Sequence, residues 1–190
     1  MAKQLSPSLE TLMTNIKASF DAATLEERSA GIHWYDAARE LAGHLATQYR
    51  VTVPVAAAAI AAHSMNASWK VNVARAASQL AGYPSGLGAA IRMTAAAMSD
   101  PDHALSHVVG PKLHPFACNI AGDLTMVATD RWAQRAAFAT MDDTVCDRLI
   151  ARKGVRDTVI LAYQKVAADV GLAPAELQAV VWVQVRGSAL

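Results

Sequence analysis

The residue types best suited to chemistry lie in one stretch: Gly110-Pro111-Lys112-Leu113-His114-Pro115-Phe116, then Asn119-Ile120, then Thr129-Asp130-Arg131-Trp132. A tight glycine-bearing turn here delivers a lysine into the first turn of a helix, where exposed backbone N–H groups can hold a phosphate. Past that helix and the short apolar connection Leu124 to Ala128, Asp130 stands at the cap position of the next helix. That order can bring one amine and one carboxylate to the same cleft, a pair suited to nucleophilic attack with proton transfer. Plainer duties compete for the same residues. Lys112 also fits an exposed first-turn lysine, and Asp130 a simple N-cap worth about 1 kcal/mol to its helix. Asn119, in mid-helix, fits either a buried hydrogen-bond hub or a pocket ligand.

Other polar candidates are weaker. His103 and His107 form an i, i+4 pair, with His114 beyond, but no H-E-x-x-H pattern accompanies them and Gly110-Pro111 interrupts the helix. No metal site is therefore expected. His63 closes an apolar helix and reads as a satisfied core histidine. Trp34, Trp69, Trp132 and Trp182 read as core anchors, with Trp69 and Trp132 also able to stack on an extruded base. Cys118 and Cys146 are too few for a disulfide framework or a four-cysteine cluster, and read as small core residues in a reducing cytoplasm. With no P-loop, no G-x-G-x-x-G and no Ser–His–Asp signature, no cofactor is expected.

Helices must position these groups, since strand signals are nearly absent. Ser6-Pro7 reads as an N-cap followed by proline at the first helical position. Leu9, Leu12, Met13, Ile16 and Phe20 then fall on one stripe. Residues 23–31 read as a linker or frayed turn. Further helices are predicted from about Ile32 to Tyr49, with Trp34, Ala38, Leu41 and Leu45 inward, and from Val53 to His63 after a Thr52 cap. Another starts at Asn66 or Ser68 and ends near Gly82. The rest run at about 88–98, a short one within 100–110, then 112–121, 130–140, 142–152, 155–170 and 174–186. The result is an all-α chain of some ten helices: a compact domain over 31–190, with 1–30 as an N-terminal helix or arm.

Composition agrees with that fold class. A 190-residue chain that is 53% hydrophobic and 17% charged can bury a full core and is not disordered. No apolar run reaches the roughly 18–20 residues of a membrane span, and MAKQLSPSLE carries no hydrophobic signal region, so a cytoplasmic protein without a membrane partner is expected. The net charge of +1 excludes a strongly basic protein. Its distribution is uneven, however: Leu41 to Ser99 holds no Asp or Glu but carries Arg50, Lys70, Arg75 and Arg92. Such a stretch is either a positive surface suited to a phosphate backbone or a core segment short of acids.

The Lys112-to-Asp130 arrangement resembles the helix-hairpin-helix (HhH-GPD) superfamily of DNA glycosylases, which places a lysine or another residue in its hairpin segment and an aspartate at the mouth of the following loop. Upstream, IAAHSMNASWKVN (Ile60 to Asn72) is similar to the family segment in which an apolar helix ends in a Ser-x-Gln loop. Ser64-Met65-Asn66 takes that loop, and Asn66 stands where a glutamine enters the DNA stack. Val108 occupies the position of the first hairpin glycine, and Arg131-Trp132 follow the aspartate in place of a small residue and a histidine. The chain from about Gly31 onward also resembles small bacteriophage proteins sharing Trp34-Tyr35-Asp36, Ser64 to Trp69, Gly110 to Ile120, Asp130 to Ala133 and Leu177 to Trp182.

The resemblance implies DNA as partner, an extruded base and a side-chain wedge, Asn66 or Met65, in the gap it leaves. Lys112 would attack the sugar C1′ and form a Schiff base, with Asp130 stabilising oxocarbenium charge or moving protons. Ser64, Asn66, Trp69, Lys70, Gly110, Asn119, Arg131 and Trp132 would contact DNA or the base. Two alternatives use the same scaffold. One is a transferase that builds a hypermodified pyrimidine in phage DNA; the other is a non-catalytic relative that binds DNA or a host protein.

Overall fold

The computed structural model describes residues 6–187. Among them the chain is all-helical: α1 (Leu9–Ala22), α2 (Leu25–Ile32), α3 (Trp34–Tyr49), α4 (Val53–His63), α5 (Trp69–Leu80), α6 (Gly88–Ser99), a 3-10 helix (Pro101–His107), α7 (Leu113–Ala121), α8 (Arg131–Phe138), α9 (Asp143–Ile150), α10 (Val155–Val170) and α11 (Pro174–Arg186). Side-chain caps set many of the starts. Thr52, Ser68 and Asp130 accept from Val55, Val71 and Ala133 N–H groups, satisfying donors that a helix start leaves open. No single helix among the described residues is long and apolar enough to cross a membrane.

Four expectations are corrected. The first helix is capped by Ser8, not Ser6, because the Ser8 hydroxyl accepts from Thr11 N–H. Residues 23–31 are not a linker: α2 forms there on a capping box, Thr24 Oγ1 accepting from Glu27 N at 3.1 Å and Glu27 Oε2 from Thr24 N at 2.8 Å. The buried stripe of α3 is Tyr35, Ala38, Ala42, Leu45 and Ala46, rotated by about one residue from the predicted one, and Trp34 and Leu41 are half-buried. The short helix after Asp100 is a 3-10 helix kinked at His103 (φ −116°, ψ 23°), with its middle and its last residue tied back to Asp100, which receives His103 Nδ1 and His107 Nε2 at 3.1 Å each.

Two compact units result. One joins 6–34 with 129–187; the other is 35–128. The second is built around α4, in which every residue from Val55 to His63 is buried, with α5, α6, α7 and the 3-10 helix packed on it. Six of those residues are alanines (Ala56 to Ala59, Ala61 and Ala62), small enough for helices to close in from all sides. In the first unit α11 packs on α2, α8, α1 and α10. Tyr163, fully buried, donates to Ala133 O at 3.1 Å; Asn15 Nδ2 donates to Ala137 O at 2.9 Å; and Trp34 meets Trp182 edge-on at 6.0 Å. Of the segment 1–30, residues 6–30 belong to this unit and 1–5 lie outside the described residues.

Candidate functional site

In the 35–128 unit, Gly110 takes the left-handed turn (φ +115°) that a side chain rarely adopts, and Lys112 follows as the N-cap residue of α7. Its amine donates to Ser64 O at 3.3 Å. Ser64 is the C-cap of α4, and its hydroxyl returns to Ala61 O at 2.8 Å. Lys112 therefore sits between two helix ends: the amino end of α7 disfavours a cation, while the carbonyl end of α4 attracts one. Two residues beyond Ser64, Asn66 is exposed and left-handed (φ +51°). The chain then enters α5 with Trp69 half-buried, not a fully buried core anchor, and Lys70 exposed.

Asn119 is a hub. It is 1% exposed, and its Nδ2 donates to Tyr35 Oη and to Met126 O, both at 3.3 Å. Its buried position removes it from direct contact with a base.

Asp130, Arg131 and Trp132 belong to the other unit. Asp130 Oδ1 accepts from Ala133 N at 2.8 Å, an N-cap bond. Arg131 bonds Asp143 at 2.8 Å, and Arg135 meets the same carboxylate at 2.9 Å while lying 4.3 Å over the Trp132 ring. Arg131 and Trp132 are thus parts of a charged and aromatic clasp holding α8 to α9, and Trp132 is half-buried. An open groove of about 380 Å³ in this unit includes Asn15, Ser19, Arg135 and Gln184, but its guanidinium is already held by Asp143.

One arrangement escaped the sequence. His63 is 2% exposed, and its Nε2–H donates to Gln79 Oε1 at 2.8 Å; the orientation of that amide is fixed by Gln79 Nε2 donating to Ile91 O at 2.7 Å. Nδ1 has no partner, so His63 is a core histidine satisfied on one side only. Nothing in residue spacing marks the pairing of His63 with Gln79; the glycines at 86 and 88 were the available sign that the backbone comes close to something there.

Burial, and secondarily the Arg75 charge, hold His63 below its ordinary 6.5 against the opposing bond to Gln79. The unfolded chain then binds a proton that the folded chain refuses, so this contribution is complete above 6.5 and is lost as pH falls through 6.5 towards the lower folded value. Unfolding midpoints should drop from about pH 7.5 to about pH 5.5, and His63→Gln should shrink that drop; an unchanged drop contradicts the assignment.

Arg50, Lys70 and Arg92 are exposed and Arg75 half-buried, and none has an acidic partner within 4.0 Å among the described residues. Helix α4 is thus core, and these four cations lie on the segments around it. Among the described residues no group of three or more His, Cys, Asp or Glu is arranged to hold a metal ion. Cys118 and Cys146 are buried, and burial pushes both thiols up, away from the reactive thiolate.

A family model described as a family of unknown function, DUF7178, matches residues 1–189. No curated protein and no solved structure matches the chain.

Proposed function

We propose that this chain, which belongs to the DUF7178 family, is a DNA-base-acting protein on a helix-hairpin-helix glycosylase-like scaffold, with Lys112 as its amine and Asp130 as its carboxylate. The observation that carries the reading is the bond from Lys112 Nζ to Ser64 O, which ties the amine to the turn bearing the exposed, left-handed Asn66. A wedge and a nucleophile must act on the same nucleotide, because the wedge fills the stack that the target base leaves. In the reaction the unprotonated Lys112 nitrogen attacks C1′ and the glycosidic bond breaks. The base leaves with the electron pair and takes a proton. Opening of the sugar ring then gives the Schiff base.

A second reading, a DNA-binding relative without catalysis, is favoured by the structural duties of the same side chains. Lys112 closes the end of α4 and Asp130 caps α8.

Both readings require binding driven by phosphate contacts. With Arg50, Lys70, Arg75 and Arg92 engaged, log K for duplex DNA should fall against log salt with a slope of about −3 to −4. Fluorescence anisotropy across salt concentrations measures it. A flat dependence, or no binding at low salt, contradicts DNA as the partner.

A further inference from the structure

We propose that the turn leading into α6 is a phosphate-binding site, made by the first amides of α6 with Arg92, Arg75 and His63 Nδ1. Its occupant is a backbone phosphodiester of DNA, and in that respect it rests on the reading above; a phosphate monoester on a free nucleotide offers the same chemistry.

Helix α6 is 12 residues long and begins at Gly88 behind Leu87, with no side-chain cap and no acid in its first turn. Gly88 and Ala89 are exposed, so the positive end of the helix faces solvent. Two guanidiniums are added to that end. Arg92 Nη1 lies 3.4 Å from the point where a Cβ on Gly88 would stand. Arg75, reaching from α5, has its Cδ and Nε at 3.2 and 3.5 Å from the equivalent point on Gly86, whose φ is +106°. Neither arginine has an acidic partner among the described residues, and no acid occurs from Leu41 to Ser99. Like charges gathered at a helix amino end repel one another, and an anion reverses the sign of each term.

The independent observation is the ring beneath the turn. His63 is 2% exposed, its Nδ1 has no hydrogen-bond partner, and Nδ1 stands 3.3 Å from the same point on Gly86 that Arg75 approaches. Because Nε2–H is committed to Gln79, only Nδ1 can change its proton. Beside a bound anion the ring gains that proton, so that Nδ1–H donates to a phosphate oxygen while Nε2–H keeps Gln79. Gly86 covers Nδ1, and residues 81–89 are all exposed, so the turn has few buried contacts to lose when it yields to the oxygen.

The test follows the His63 ring by NMR in the full chain, titrated separately with inorganic phosphate and with a short DNA duplex. Phosphate should shift the ring resonances saturably, and Arg92→Gln and Arg75→Gln should each weaken that response by about tenfold, the loss of one charge-assisted phosphate contact. Each variant should also make the salt slope for the duplex shallower by about one. Amide spectra establish that the variants fold; Arg92 is on an exposed face. If the ring ignores both ligands, or both variants respond as the parent does, the site is overturned. Duplex binding with an unchanged slope in both variants overturns the site and leaves the DNA reading standing. A ring response to phosphate without duplex binding supports the site, with a free phosphate ester as its source, and overturns the DNA reading.

Discussion

Gly31→Ala should destabilise the protein by about 3 kcal/mol, at the upper end of what overpacking of a close-fitting interior costs. A Cβ on Gly31 would lie 2.4 Å from Val180 Cα and 2.5 Å from Val180 N, and these are backbone atoms that cannot turn aside. Helix α2 buries only Gly31, so its docking on α11 depends on that bare backbone. The methyl group must separate the two helices or shift α11, whose Leu177, Val180 and Val181 are fully buried. Gly43→Ala is the matched control. It lies within α3 with nothing within 4 Å of its Cβ position, so the same change there should stabilise by up to about 1 kcal/mol through helix propensity. Denaturant unfolding followed by circular dichroism reads both. If Gly31→Ala falls within about 0.5 kcal/mol of the parent, as ordinary surface changes do, the close approach is wrong.

Lys112→Ala should abolish covalent attachment to DNA and lower turnover by at least about a hundredfold, while costing only about 1 kcal/mol of stability for the lost bond to Ser64 O. Those two magnitudes separate chemistry from architecture. Asp130→Asn makes the same separation at the other residue. Asparagine caps a helix about as well as aspartate, so the bond to Ala133 N–H survives while the negative charge is lost. Unchanged stability with lost turnover supports the catalytic role; unchanged stability with unchanged turnover reduces Asp130 to a cap. Asp130→Ala, by contrast, should cost about 1 kcal/mol through the cap alone.

Local signals are legible in the sequence. The limits of α4, α10 and α11 follow from Thr52 with Pro54, from Gly171 and from Pro174, because caps and breakers act within one turn of the residue that carries them. Helix α2 has almost no apolar stripe to mark it, and its local signal is the Thr24-to-Glu27 box. In α3 the helical spacing puts Trp34 on the buried stripe, whereas Tyr35 packs edge-on to Phe116 at 6.2 Å and accepts from Asn119. Contacts between distant residues carry no period. The Lys112–Ser64 bond, the Asn119–Tyr35 bond and the convergence of His63 and Arg75 on Gly86 depend on how helices pack around α4. Asp130 could be read as a cap from its neighbours, as the structure has it.

The most direct test incubates the protein with duplexes carrying uracil, 5-hydroxymethyluracil, an oxidised purine or an abasic site, and then adds borohydride. A Schiff base between Lys112 and C1′ is reduced to a stable secondary amine, so the account predicts a covalent protein–DNA adduct in at least one lane and none in that lane for Lys112→Ala. An adduct that persists in Lys112→Ala, or no adduct together with no base release from any duplex, contradicts the assignment of Lys112 as the reacting amine.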